Sequence, residues 1–159
     1  MTLLVGTEAS EGGPSREATA VIESLDLRAH PEGGWYAETW QASAADGERP
    51  RGSAIVYLLA AGERSHWHRF DADEVWQYSA GDPLELRVWV EGEAMITVHR
   101  LGGDVAGGCA VQAVVPAGAW QSARPLGSWT LVGCIVTPAF EFDGFELAAA
   151  GWEPPVAPA

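Results

Sequence analysis

The chain has 159 residues, of which 47% are hydrophobic and 19% are charged, a composition that predicts one folded domain and excludes wholesale disorder. Its formal net charge is −13, from 22 acidic and 9 basic residues, and every basic residue is arginine. This balance argues against nucleic acid and anionic membranes as partners. The lack of lysine excludes a Walker-type phosphate loop and a lysine Schiff base, and the lack of asparagine excludes N-glycosylation.

Targeting signals and cysteine usage favour a cytoplasmic protein. The apolar runs fall short of the roughly 20 residues that cross a bilayer, and no basic stretch precedes Leu3–Val5 as it would in a signal peptide. Cys109 and Cys134 lie far apart and form no CxxC zinc pattern. We expect buried free thiols, with a disulfide as the alternative.

The composition divides the chain into three segments. Residues 1–16 are rich in Gly, Ser, Thr and Glu and are expected to be a flexible N-terminal segment, and residues 149–159 are expected to be a loose C-terminal tail. Residues 17–148 between them form the predicted domain. At its start, Ser15 is a candidate N-cap, and the apolar spacing that follows predicts a short helix ending near Leu27.

After this helix the pattern changes to short runs of Val, Ile, Tyr and Trp between turns that contain Gly, Pro and Asp. Strands are predicted near residues 34–41, 53–60, 64–69, 74–79, 84–91, 94–100, 110–115, 119–123, 128–137 and 140–147. Many short strands with close turns favour an all-β sandwich or barrel.

One segment carries residues suited to chemistry. His66 and His68 are two residues apart, which on a regular strand places both imidazoles on one face, and a following hairpin would bring Glu74 beside them. Two histidines and a carboxylate form a ligand set for a divalent metal such as Fe, Mn, Ni or Zn. The alternatives are hydrogen-bonded interior histidines without a metal, and an ion pair of Glu74 with Arg69 or Arg87.

This HxH pattern, followed by a glutamate and Gly81, resembles the first motif of the cupin superfamily, and VVPAGAWQSA (114–123) resembles the second. Metal-binding cupins have a histidine three residues after the glycine of the second motif, where this chain has Gln121. Four stretches together resemble the cupin type 5 family: HPEGGWYAETW (30–40), SHWHRFDADEVW (65–76), PAGAWQSA (116–123) and LVGCIVTPAFEFDGFELA (131–148).

The resemblance implies a double-stranded β-helix, the jelly-roll barrel of cupins, usually dimeric and with its pocket inside the barrel. It implies no particular reaction. On this basis the candidate metal ligands are His66, His68, Glu74 and Gln121. The candidate catalytic residues are His68, Glu74 and Tyr78, and the candidate pocket walls are Trp76, Trp120 and Tyr57.

Three functions remain open from the sequence. The first is a metal-dependent enzyme acting on a small polar metabolite. The second is a metal-free isomerase like the sugar epimerases, with a histidine base and either Tyr57 or Tyr78 as the acid. The third is a module that binds a sugar or another metabolite without turnover. A purely structural homodimer with a vestigial pocket is the alternative to all three. The glycine turn within Glu32–Tyr36 is a further candidate ligand contact, with a strand-entry turn or a dimer contact as alternatives, whereas His30 is expected at the surface or in packing.

Overall fold

A computed structural model describes residues 12–156 of the chain. Residues 1–11, most of the predicted flexible segment, lie outside this range. The described part contains one α-helix, one 3-10 helix and eleven strands. They are α1 (Arg16–Ser24), β1 (Arg28–Ala29), β2 (Trp35–Gln41), β3 (Ser53–Ala60), β4 (Ser65–Phe70), β5 (Asp73–Gly81), β6 (Leu84–Trp89), β7 (Thr97–Leu101), β8 (Gln112–Val115), β9 (Trp120–Pro125), β10 (Trp129–Thr137), the 3-10 helix Phe142–Gly144 and β11 (Phe145–Leu147).

The N-terminal helix begins where the sequence predicts. The Ser15 side chain accepts a hydrogen bond from the backbone N–H of Ala18 at 3.2 Å, which satisfies one of the free amide groups of the first turn. The helix ends at Ser24 rather than near Leu27. Asp26 has a φ of 51°, a left-handed conformation that stops the helical hydrogen-bond pattern.

Two antiparallel sheets face each other, as the predicted jelly-roll barrel requires. One has the order β1-β2-β3-β10-β5-β8 and the other β11-β4-β9-β6-β7. Alternate residues of each strand point inward and form the core. Its largest fully buried members are Trp76, Tyr57, Leu59, Leu84, Leu86 and Leu101. The helix packs outside the six-stranded sheet, where Ala18 and Leu27 contact Leu58 and Ala60.

The prediction of a strand over residues 140–147 is wrong for the first half of that range. Residues 142–144 form a 3-10 helix, and only Phe145–Leu147 pairs with β4. The cysteines are free and buried, as expected.

The C-terminal tail predicted to be loose is packed as far as the structure describes it. Trp152 lies against the outer face of the five-stranded sheet, with its ring 4.5 Å from that of Trp120 and 6.0 Å from that of Trp67. Glu153 accepts a hydrogen bond from the Trp67 indole at 3.1 Å. Trp120, predicted to line the pocket, therefore faces away from the barrel interior, because it belongs to the outward-pointing set of β9.

Across residues 12–156, no helix is long and apolar enough to cross a membrane.

Candidate functional site

A cavity of about 200 Å³ lies between the two sheets and opens beside Arg28 and Phe142. Its walls combine buried polar groups with aromatic rings. The polar groups are His30, Glu32, His68 and Glu74, and the rings are Tyr36, Phe70, Phe140 and Phe142. Such a mixture of apolar walls and a few converging polar groups is typical of small-molecule sites.

His68 points into this cavity, whereas His66 points out of the barrel. Ser65 pairs with Ala123 and His68 pairs with Gln121, so three steps along β4 match only two steps along β9. This β-bulge places one extra residue in β4 and reverses the alternation of its side chains. His68 is 1% exposed, whereas His66 is an exposed residue. The prediction that both imidazoles share one face is wrong for this reason.

His68 forms a close pair with a second acid, Glu32. Its Nδ1 lies 2.8 Å from the carbonyl oxygen of His66, which requires a proton on Nδ1. Its Nε2 lies 3.2 Å from Oε2 of Glu32, a contact that is favourable only when one of these two atoms carries a proton. Burial raises the pKa of Glu32 and lowers the pKa of His68. The pair therefore shares one proton between Oε2 and Nε2.

Glu74, the other buried carboxylate, is held by a relay of neutral donors. The Trp76 indole donates to Oε1 of Gln121 at 2.8 Å, and the Gln121 amide then donates to Oε2 of Glu74 at 2.6 Å. Burial raises the pKa of Glu74 to about 7. The neighbouring His68 lowers this pKa, but its effect is smaller than that of burial. The alternative ion pairs do not form, because Arg69 and Arg87 lie outside the barrel and pair with Glu146 and Glu153.

The four predicted metal ligands do not form one donor set. His66 is on the other side of the strand, and both ends of the Gln121 amide are already engaged by Trp76 and Glu74. Within the described range 12–156, no group of three or more His, Cys, Asp or Glu side chains is arranged to hold a metal ion. The residues present do not fit the metal site that the sequence predicts.

The two candidate tyrosines also lie outside the cavity. Tyr78 donates its hydroxyl to the carbonyl oxygen of Gly81 at 2.6 Å, at the far end of β5 from Glu74. The pairing of β5 with β10 is regular from Glu74 to Tyr78, so Tyr78 shares the inward face of Glu74 and Trp76 and packs against the core. It lies four residues along the strand from Glu74, away from the residues that line the cavity. Tyr57 is buried and donates to the carbonyl oxygen of Gly33, beneath the turn that presents Glu32. Trp76, a predicted pocket wall, does not line the cavity. Its indole donates to Gln121, which in turn donates to Glu74.

Sequence reasoning included Glu32 only as part of a candidate ligand-contacting turn, with no chemical role, and did not select His30 as a site residue. The Glu32 carbonyl oxygen accepts from the backbone N–H of His66 at 2.9 Å, which ties the turn to β4. Gly33 has a φ of 105°, and a Cβ there would overlap the carbonyl oxygen of Arg64. The two glycines after Glu32 are the sequence signal for this close approach of the turn to the start of β4. His30 accepts from the backbone N–H of Glu32 at 3.1 Å, which sets its orientation in the cavity wall.

These features agree with the comparisons to known proteins. The Cupin_5 family model, described as Cupin superfamily (DUF985), matches residues 19–148. The chain belongs to this family. A solved structure from Shewanella oneidensis shares 40% sequence identity over 83% of this cupin and 84% of that chain, with a TM-score of 0.77. A hypothetical protein from Leishmania major shares 32% identity over 81% and 85% of the two chains, with a TM-score of 0.74.

More distant structures share the cupin fold alone. Oxalate decarboxylase from Bacillus subtilis has 14% identity and a TM-score of 0.58, over 77% of this chain and 30% of that one. CapF has 16% identity and a TM-score of 0.59, over 76% and 33%. No curated protein sequence matches this cupin.

Proposed function

We propose that this cupin binds a small polar metabolite in its barrel cavity and moves protons on it without a metal ion, as an isomerase or epimerase does. One observation carries the proposal: two buried carboxylates and a buried imidazole, Glu32, Glu74 and His68, line the same small cavity. Burying such groups costs free energy unless they are paired or protonated. Perturbed titratable groups in a cleft are a recognised mark of functional sites.

The protonation states suit acid–base chemistry. Because the pKa of Glu74 is about 7, both its acid and its base form are populated near neutral pH. The Glu32–His68 pair holds a second proton that can move between Oε2 and Nε2. Glu74 lies on β5 and His68 on β4, which belong to different sheets, so the proton-transfer groups approach a ligand from different walls. Two such groups are what proton transfer at a carbon beside a carbonyl requires.

The size and walls of the cavity define the class of ligand. A volume of about 200 Å³ is below the roughly 300–1,000 Å³ of pockets for drug-sized ligands, so the ligand is smaller. Hydroxyl and carbonyl groups suit Glu32, Glu74 and His68, while the aromatic rings cover an apolar face. Arg28, at the mouth, is in none of the ion pairs formed within residues 12–156. It suits a carboxylate, and we propose a hydroxy or oxo acid or a small sugar.

Deuterium exchange tests the proposal directly. The protein is incubated in D₂O with a panel of three- to six-carbon hydroxy acids, oxo acids, aldoses and ketoses, and carbon-bound protons are followed by ¹H NMR. We expect one member of the panel to exchange a proton beside its carbonyl, at a rate unchanged by chelators. Glu74→Gln is expected to reduce this rate by at least 100-fold, in line with the usual contribution of one acid–base group.

His66→Gln is the matched control, because it changes an imidazole on the opposite side of β4. Exchange that is lost in His66→Gln, or that needs added metal, would favour the metal-dependent enzyme predicted from the sequence. Binding of a panel member in the cavity without any exchange would identify a binding module instead. No binding and no exchange across the panel would overturn the proposal.

A further inference from the structure

A second cavity of about 200 Å³ lies on the outer face of the five-stranded sheet, separated from the barrel cavity by the sheet itself. On β9, the outward positions are Trp120, Ser122 and Arg124, so the small Ser122 leaves a depression between two large side chains. Three arginines surround this floor, and we call the site the arginine depression. They are Arg64 in the turn before β4, Arg87 on β6 and Arg124 on β9, and Glu85 on β6 also lines the depression.

The charge of this surface is unusual for the molecule. Three of the nine arginines of a chain with 22 acidic residues line one depression. Arg124 contacts Glu85 through Nε at 3.0 Å, and Arg87 contacts Glu153 through Nη1 at 3.2 Å. Arg64 is exposed and takes part in no ion pair within the described residues.

Many donors therefore remain available. Each guanidinium carries five N–H donors in a planar fork that matches the oxygen atoms of phosphate and carboxylate groups. The two ion pairs use Nε and Nη2 of Arg124 and Nη1 of Arg87, and the Arg64 guanidinium is uncommitted. Three arginines against the one carboxylate of Glu85 leave the lining with a net positive charge. The Ser122 hydroxyl at the floor donates to the carbonyl oxygen of Ser65 at 3.0 Å, so the free donors are those of the guanidinium groups.

The same face already accommodates one oxyanion. The carboxylate of Glu153 in the C-terminal tail accepts from the Trp67 indole at 3.1 Å and from Arg87 at 3.2 Å. The surface beside Arg87 is therefore built to receive negatively charged oxygen atoms. Glu153 fills only the side nearest Trp67, and it is not among the residues that line the depression at Ser122.

We propose that the arginine depression binds the phosphate group of a small metabolite, at a site separate from the barrel cavity. A dianionic tetrahedral group offers oxygen atoms in several directions, which suits three guanidinium groups arranged on neighbouring segments. The depression and the barrel cavity lie on opposite faces of β9. Ser122 points outward to the depression, and Gln121 points inward to Glu74.

Titration with inorganic phosphate tests the site. Amide signals of the full chain are followed by ¹⁵N NMR at pH 7.5, with sodium chloride adjusted to keep the ionic strength constant. We expect saturable shifts at Arg64, Arg87, Ser122 and Arg124. Arg64→Ala is expected to weaken binding about tenfold, which is the usual effect of losing a charge-assisted hydrogen bond.

Arg51→Ala is the matched control, because Arg51 is also an exposed arginine but lies in the loop after β2. It is expected to bind phosphate as the wild type does. Equal weakening in both variants would show only general electrostatic screening and would overturn the site. Shifts that do not saturate, or that fall on His68 and Glu74 alone, would also overturn it. Because the titration does not use the barrel cavity, its failure is independent of the proposed isomerase activity.

Discussion

Glu74 shows how a single residue is set for acid–base chemistry by what surrounds it. The carboxylate is 5% exposed and is bonded by an amide rather than by an arginine. A neutral donor stabilises the charged form less than a cation does, so desolvation dominates and raises the pKa of Glu74 to about 7. The same burial that makes Glu74 useful near neutral pH also makes its ionised form costly to the fold.

This cost gives a pH-dependent stability that can be measured. Because the pKa of Glu74 rises from 4.5 to about 7 on folding, the native state holds an extra proton between these values. Its contribution to the free energy of unfolding is present below pH 4.5 and is lost as the pH rises through 7. We expect the wild type to lose about 3 kcal/mol relative to Glu74→Gln between pH 4.5 and pH 8. Urea unfolding at steps of one pH unit measures the difference.

Glu93→Gln removes the same charge from an exposed turn and controls for the change in net charge. A constant difference between Glu74→Gln and the wild type across this pH range would contradict the account of Glu74.

The bulge in β4 determines which histidine belongs to the site. Spacing alone places His66 and His68 on one face, and that inference depends on regular alternation. The extra residue between Ser65 and His68 breaks the alternation and orients the Trp67 indole towards the tail and Glu153. His66 then lies outside, next to Arg64 and the tail.

The two histidines should therefore respond very differently to substitution. His68→Ala leaves Glu32 buried without its imidazole partner, and we expect a loss of about 3 kcal/mol in the free energy of unfolding together with loss of cavity binding. His66→Ala removes an exposed side chain and should change stability by less than about 0.5 kcal/mol. Urea unfolding of both variants checks the prediction, and equal effects would mean that the bulge does not orient β4 in this way.

The C-terminal tail is held to the sheet chiefly by side chains. Trp152 contacts three tryptophan rings, those of Trp67, Trp89 and Trp120. We expect Trp152→Ala to lower the free energy of unfolding by about 2 kcal/mol, less than for a fully buried tryptophan because the side chain is only half-buried. Met95→Ala, at a residue that is 76% exposed, is the control and should have little effect. A tail that contributes nothing would leave both variants as stable as the wild type.

The elements that the sequence predicts well are those governed by local pattern. Ser15 caps the helix, and β3 spans residues 53–60 as alternation and turn residues indicate. The misplaced features depend on contacts between distant segments. The orientation of His66 depends on pairing with β9, and the packing of Trp152 depends on three tryptophans from other strands. The chemical character of the site could be read from His68, Glu74 and Gln121, but its second acid, Glu32, arrives from a turn whose position is set by its bond to β4.

At the scale of the whole molecule, two neighbouring rows on the outer face of the six-stranded sheet carry no charge, and Asp73 lies at their edge on β5. The helix α1 covers the end of this face at Leu58 and Ala60. Beyond it, the strand pairings align two uncharged rows across five strands. One row is Trp40, Ala54, Ile135, Val75 and Val114, and the other is Ala37, Val56, Gly133, Gln77 and Gln112. Of these residues, Trp40 is 51% exposed, Ile135 41% and Val114 56%.

We predict that a second copy of the chain binds at this uncharged face. Two molecules that each carry a charge of −13 repel one another, so they can approach closely only where neither presents a carboxylate. An isologous dimer brings the same face of each copy together, which matches the homodimer expected from the cupin resemblance.

We predict that the protein is a dimer by light scattering at micromolar concentration and that Ile135→Asp converts it to a monomer, because the substitution buries two facing carboxylates at the centre of the contact. Val98→Asp, at a 56% exposed position on β7 of the other sheet, is the matched control and should remain dimeric. A wild type that is monomeric, or an Ile135→Asp variant that stays dimeric, would exclude this face as the dimer interface.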